Sequence, residues 1–466
     1  MNGGTVVVLG LMLVVALSQA ADAGARREVK PPEGAPEYQA PPRPTDGANL
    51  ALTVEKLEKG FDPDRPFLIW AIGSSFTNFL GNGDTLVAAI RERFPKAPKI
   101  VYRKMVGNST SYHFTRGWAR HLVIPDQPDL VLIYNFGKTE DLEQVVADLR
   151  RHTTADILVP TLHWCRPHAK VWPDPDATNS HQDPKAMRAM CARYGVEFVE
   201  SRREITRYLL DHKLPFDALL HDAVHQSPYC ARMINLNIAR HVHRPEQFAY
   251  DPRTRERRIE AKLSEAIAAG KKGAATTIKF TGNRIDLIGR KVPNGGTARV
   301  LIDGKPADQA PVFTVTYVKP NPKNAPAPPN PPRDRAPHLI ELGDHVVPQS
   351  WTIAMTSDKG DYKLVGSVTG PDGKGNAFKP FASTSGQIRI DPAYWRGAKT
   401  NRTGDTFTFG VVRSAVGTVT FKGEPGPFRL RLAQNLPNQA HTLTLVAAGD
   451  GPITLDAFDV FEPPLK

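Results

Sequence analysis

"PFLIWAIGSSFTN", residues 66–78, is an apolar run that stops at a glycine and two serines, with a threonine two positions on. Such a run reads as a strand buried on both faces, the kind found in parallel sheets. Ser74 and Ser75 stand where that strand hands over to a helix. One of them either caps the helix or is held out as a nucleophile, and the local residues admit both. The neighbouring pattern decides the fold. "KIVYRKMV", "DLVLIYNFG", "DILVPTLHW" and "VEFVES" repeat the strand signal. Between them "TLVAAIRERF", "YHFTRGWARHL", "EDLEQVVADLRRH", "DPKAMRAMCARYG" and "REITRYLLDH" read as helices. In "EDLEQVVADLRRH", Leu142, Val145, Val146 and Leu149 share a face. This alternation predicts an α/β domain over 51–250, a doubly wound parallel sheet whose site forms where strands end and helices begin.

The flanks differ in character. Residues 1–23 hold the apolar core "TVVVLGLMLVVAL" followed by small residues, the pattern of a signal peptide cleaved after Ala20 or Ala23. The run is shorter than the ~20 apolar residues a membrane span needs, so the expectation is a secreted or periplasmic protein without a stable span. Residues 24–50 are rich in proline and read as an extended spacer. Residues 251–274 read as a helical connector, with "RTRERR" at Arg253 to Arg258 as its solvated face. From 275 to 466 short alternating strands predict an all-β sandwich or jelly roll, with a Pro-rich insert at 319–337. The composition shift predicts that the α/β part folds without it.

Composition narrows the function classes. The chain has 466 residues, 40% hydrophobic and 23% charged, and a formal charge of +12. Much of that charge is scattered, and no nucleic-acid motif accompanies it. Cys165, Cys191 and Cys230 allow one disulfide or three buried thiols. Without CxxC spacing or paired histidines they do not read as a zinc site, and no metal or organic cofactor is implied. His113, His121 and His181 have no visible partner in the sequence and are expected at the surface.

A serine hydroxyl needs a base, and "LLHDAVHQSPYC" offers one. Asp222 and His225 stand three residues apart before a helix, a spacing that lets one turn aim both into a cleft, the carboxylate fixing the imidazole tautomer. Otherwise Asp222 and Gln226 would merely start the helix. Gly73-Ser74-Ser75-Phe76-Thr77, "MVGNST" around Gly107, "NFGKTED" and "HDAVH" together resemble the sequence blocks of the SGNH (GDSL-type) hydrolase family. The likeness spans roughly residues 66–243, under half of the chain. It implies a flavodoxin-like sheet, with Ser75 as nucleophile, His225 as base and Asp222 as its orienter. It further implies an oxyanion hole from the N–H groups of Ser75 and Gly107. Ser74 replaces the family's usual aspartate. The third block departs as well, placing Thr139 where the family has an oxyanion-binding asparagine, with Asn135 as the other candidate. The G-x-S-x-G elbow of α/β-hydrolases is absent. His163 and Trp164, at the end of a strand, are candidates for the substrate rim, with core packing the alternative.

The reading that results is an exported serine esterase that removes acyl groups, acetyl first among them, from carbohydrate. Its partner is the acylated carbohydrate substrate, and the sequence does not fix an oligomeric state. The competing reading, favoured by the altered third block, is a catalytically weakened SGNH-like module that binds glycan or serves the cell envelope.

Overall fold

A computed structural model describes residues 29–59, 65–107, 109–309, 314–318 and 336–466. The expected signal peptide and nearly all of the Pro-rich insert lie outside the described residues.

The α/β part opens with α1 (Ala51–Lys59), β1 (Phe67–Gly73), α2 (Ser75–Phe79), α3 (Asp84–Arg93) and β2 (Ile100–Val106). It continues through α4 (Ser111–Thr115), β3 (Leu130–Tyr134), α5 (Thr139–His152), β4 (Asp156–Pro160) and α6 (Pro184–Tyr194). Strand β5 (Glu197–Val199) and helices α7 (Ser201–Asp211) and α8 (Pro228–His241) close it. The five strands pair in parallel in the order β2-β1-β3-β4-β5. Alternation along β1 explains the layering. Phe67, Ile69 and Ala71 pack with α1, α3, α7 and α8, while Trp70 and Ile72 pack with α5 and α6 on the other face. In this strand order the chain leaves β1 and β3 in opposite directions, and the cleft between their ends is where such sheets bind ligands.

The Pro-rich stretch 24–50 is not a free spacer over its described residues. Tyr38 is buried, donates from its hydroxyl to Asn237 Oδ1 (2.7 Å) and from its N–H to the Tyr229 hydroxyl (2.7 Å). Gly47 N–H donates to Glu197 Oε1 at 2.7 Å. Proline removes backbone donors but leaves side chains free to dock, so the segment is fixed onto α8 and β5 by a few buried polar anchors.

The expected helical connector is instead built around a strand, with only short helical turns beside it. "ERRIE" forms β6 (Glu256–Glu260), paired with the last strand of the chain, and the helical turns there are short, a 3-10 turn at Pro252–Thr254 and α9 (Glu265–Ala268). The arginines explain the difference: Arg257 and Arg258 are matched by Glu462 and Asp459 across the pairing, a cross-strand partnership that local reading cannot see.

The β region then runs β7 (Ala275–Gly282), β8 (Arg284–Lys291), β9 (Thr297–Ile302), β10 (Lys305–Pro306), β11 (Thr314–Val318) and β12 (Glu341–Leu342). Next come β13 (Gln349–Met355), β14 (Asp361–Gly366), β15 (Gly370–Asn376), β16 (Phe381–Ala382) and β17 (Ile388–Ile390). It ends with β18 (Thr406–Arg413), β19 (Thr418–Thr420), β20 (Gly426–Ala433), β21 (Gln439–Ala447) and β22 (Leu455–Phe461). These antiparallel sheets surround two cores rather than one. Strands β10-β9-β21-β7, with β19 on β9, and β20-β8-β22-β6 share a core that includes Phe280, Leu287, Val300, Leu445 and Phe458. Strands β11-β18-β13-β14-β15 and β12-β17-β16 enclose another, with Trp351, Leu364, Ile388, Trp395 and Phe409. The second group is inserted in sequence between β10 and β19.

Candidate active site

Gly73 ends β1 with φ +154°, a backbone region that L side chains rarely adopt. A Cβ there would stand 2.2 Å from Thr77 Oγ1 and 2.5 Å from the Tyr134 carbonyl, so this turn admits only glycine. The serines that follow divide the two roles left open by the sequence. Ser74 is buried and caps α2, its hydroxyl accepting the Phe76 N–H at 3.3 Å. Ser75, the first residue of α2, is exposed.

The structure brings Ser75 to Asp222 and His225 across 150 residues of sequence. His225 Nε2 lies 3.0 Å from Ser75 Oγ, and His225 Nδ1 lies 2.8 Å from Asp222 Oδ2. An ionised carboxylate only accepts, so Nδ1 carries the proton and Nε2 is left to accept from the serine hydroxyl. Asp222 Oδ1 accepts the N–H groups of Val224 (2.8 Å) and His225 (2.7 Å). These bonds, the His225 N–H first, hold the carboxyl well below the usual carboxylate range. Phe79 stacks on the His225 ring with centroids 4.2 Å apart. Gln226 Nε2 donates to the Phe76 carbonyl at 2.8 Å and ties the histidine loop to α2. Neither of these roles for Phe79 and Gln226 was legible in the sequence, because they depend on which helix meets which loop.

The candidate oxyanion donors fare differently. Ser75 N–H opens α2 and so has no intrahelical acceptor. Gly107 N–H donates to the Gly73 carbonyl at 2.8 Å, continuing the β1–β2 pairing, so that donor is spent. Thr139 begins α5 with its hydroxyl oxygen buried and without a partner among the described residues. Asn135 is buried, with its amide directed to the Gly137 carbonyl (3.3 Å) and to Met187 Sδ (3.7 Å) of α6. Met187 belongs to the core on the far face of the sheet from Phe76, so the Asn135 side chain turns away from Ser75.

His163 and Trp164 are not on a rim; each is about 1% exposed. Trp164 donates to Thr206 Oγ1 (2.8 Å) and packs edge-on against Trp172. The segment after β4 passes under the 221–226 loop, which covers His163, while Thr206, Arg202 and Trp172 cover Trp164. The other histidines also depart from expectation. His113 is fully buried with Nε2 3.1 Å from the Gly73 nitrogen, and burial lowers its pKa to about 4. His121 is buried and donates to the His338 carbonyl at 2.7 Å, while His181 is half-buried.

All three cysteines are free and buried. Cys165 Sγ and the ring nitrogens of His168 and His181 lie within 4.8 Å of one another, a grouping that sequence spacing did not foretell. Its hydrogen bonds do not fit a cation. His168 Nδ1 accepts the Cys165 N–H at 3.1 Å, so Nε2 holds the proton and passes it toward His181 Nδ1 at 2.9 Å. A metal-bound histidine would instead offer its other N–H to an acceptor. Burial pushes the Cys165 thiol up to about 12 and His168 down to about 2, both toward neutral forms.

No protein-family model matches the sequence, and no curated protein matches it. Among solved structures, the chain is similar to a two-domain esterase active on acetylated mannans. That likeness has 12% identity and a TM-score of 0.33, and covers 90% of this chain and 96% of the other. A candidate GDSL-like lipase from Parabacteroides merdae is 17% identical, with 39% of this chain and 97% of that one covered at a TM-score of 0.30. An acetylxylan esterase from Geobacillus stearothermophilus is 16% identical, with 41% and 100% covered at a TM-score of 0.28.

Proposed function

We propose that this chain is an SGNH-type serine esterase that releases acyl groups, acetyl first among them, from carbohydrate. The observation that carries the reading is the hydrogen-bonded line from exposed Ser75 through His225 to Asp222. In the proposed reaction Ser75 Oγ attacks the ester carbonyl carbon while its proton moves to His225 Nε2. The tetrahedral intermediate then collapses, and that proton leaves with the sugar oxygen. Water, giving a proton to His225, attacks the acyl carbon, and the acid leaves as the acyl–Oγ bond breaks and His225 returns that proton to Ser75 Oγ. Asp222 keeps the imidazole in the required tautomer throughout. Neither a metal nor an organic cofactor is needed for these steps.

The carbohydrate substrate is the finer part of the proposal. It is supported by the exposed position of Ser75, which suits a small acyl group on a bulky polymer, and by the appended antiparallel sheets. Export belongs to the same proposal and rests on residues 1–23. Among the described residues no helix is long and apolar enough to cross a membrane.

One observation favours the competing reading of a weakened, glycan-binding module. Gly107 spends its N–H on the Gly73 carbonyl and the Asn135 amide is directed to Gly137 and Met187, and losing one oxyanion donor costs ~10²–10³ in rate. A fluorophosphonate probe separates the two. Labelling of the folded protein that Ser75→Ala abolishes, together with aryl-acetate hydrolysis, supports the esterase. Folded parent protein that neither labels nor hydrolyses any ester supports the binding module.

A further inference from the structure

Behind the 221–226 loop lies a buried polar line that the Ser75–His225–Asp222 array does not include. Tyr134 ends β3, and its hydroxyl stands 2.9 Å from His163 Nδ1 while accepting the His163 N–H at 3.1 Å. On the other side of the ring, His163 Nε2 is 2.8 Å from the Val224 carbonyl. A carbonyl can only accept, so Nε2 carries the proton and Nδ1 takes the tyrosine hydroxyl's. Both side chains are essentially inaccessible to water. Burial lowers the His163 pKa to about 3, which keeps this ring neutral and its tautomer single.

The Val224 carbonyl belongs to the same peptide group as the His225 N–H, and that N–H donates to Asp222 Oδ1 at 2.7 Å. One amide is therefore gripped at its oxygen by His163 and at its nitrogen by the carboxylate that orients His225. A donor on the carbonyl polarises the amide and strengthens its N–H as a donor. Cys165 Sγ lies 3.0 Å from the same carbonyl and adds a weaker contact.

We propose that His163, held in one tautomer by Tyr134, is a positioning residue that sets the Val224–His225 peptide and, through it, the register of Asp222 and His225 on Ser75. This inference rests on the esterase reading for its kinetic consequence but not for its structural one.

The test uses the full chain and three variants. His163→Phe keeps the ring and removes the donor, His163→Gln keeps a side-chain N–H, and Tyr134→Phe removes the hydroxyl that fixes the tautomer. With aryl acetate, and with active sites counted by the fluorophosphonate probe, His163→Phe should lower kcat per site by on the order of 10-fold, with KM within about twofold. His163→Gln should recover most of the loss, and Tyr134→Phe should fall between. A packing role would lower the thermal midpoint and the number of active sites, leaving kcat per site unchanged. A folded His163→Phe with parental kcat per site, or a loss that His163→Gln does not relieve, overturns the proposal. If His163→Phe fails to fold, Tyr134→Phe decides by the same measure. Hydrogen exchange of the peptide covering residues 219–227 reads the loop without turnover. Exchange there should quicken about 10-fold in the folded donor-free variant, and unchanged exchange overturns the proposal even if the parent hydrolyses nothing. Failure of the esterase reading would show in the parent alone.

Discussion

Ser75 and Ser74 differ by one position and by everything in their surroundings. Ser74 is buried and satisfies the Phe76 N–H, so Ser74→Ala should cost about 1 kcal/mol of stability, the usual worth of an N-cap, while α2 keeps its place. Thermal unfolding of that variant checks it. Thr139 stands where the resemblance places the family's oxyanion-binding asparagine. As a stand-in for the family's asparagine it would be worth ~10-fold or more in kcat. Its hydroxyl oxygen is buried and has no partner among the described residues, so Thr139→Val should leave kcat within about twofold and should not destabilise the fold, since an unpaired buried hydroxyl is itself a cost. A tenfold drop in kcat for Thr139→Val would mean that the α5 terminus rearranges when substrate binds.

At the scale of elements, the five residues of α2 are too few to hold a helix on their own. The turn at Gly73 and the Gln226 bond to the Phe76 carbonyl hold it from both sides. Gly73→Ala should therefore be among the most damaging changes, destabilising by roughly 2–4 kcal/mol because the new Cβ meets a backbone carbonyl and φ is unfavourable. A thermal midpoint for Gly73→Ala equal to the parent's would show that the strand end can relax. The same short helix explains why the sequence signal was readable here. A buried strand, an obligatory glycine and a capping serine are all local, whereas the turn's partners, Tyr134 and Gln226, come from distant segments.

For the whole molecule, the α/β part and the β region share buried charge. Lys56 is 6% exposed and bridges Asp129 (2.7 Å) and Glu256 (2.8 Å), while Arg255 meets fully buried Asp156 at 2.9 Å. Asn283 donates to the His152 carbonyl (3.2 Å), and Leu465 N–H donates to the Arg150 carbonyl (3.1 Å). A chain cut at residue 260 would keep β6 and lose β22, its partner, against the separability that composition predicts. Such a fragment should aggregate or melt well below the full chain, and a soluble fragment with the parental midpoint would restore the modular reading. Acid should weaken the whole molecule too. His113, His121 and His163 are buried with pKa values lowered to about 4, 3 and 3. The unfolded chain takes up these protons near pH ~6.5, the folded chain only near the lowered values. Stability is thus fully present above pH ~6.5 and is lost as pH falls toward 4, by roughly 1–2 kcal/mol per histidine at pH ~5. A thermal midpoint that does not move between pH 7 and pH 5 would contradict this.

Periodicity and composition by themselves determined the parallel α/β sheet, the antiparallel region after it and the position of the serine turn, because each depends on neighbours within about ten residues. Asp222 and His225 were legible for the same reason, since their spacing is local and their chemistry is recognisable. Only the tertiary structure decided that RTRERR contributes to a strand, that the β region has two cores, and that residues 30–50 are docked. It alone placed His163 behind the loop rather than on the rim, and spent the Gly107 donor on Gly73. Each of these depends on a partner far away in sequence, and a side chain's burial or hydrogen bond is settled by that partner rather than by its own neighbours along the chain.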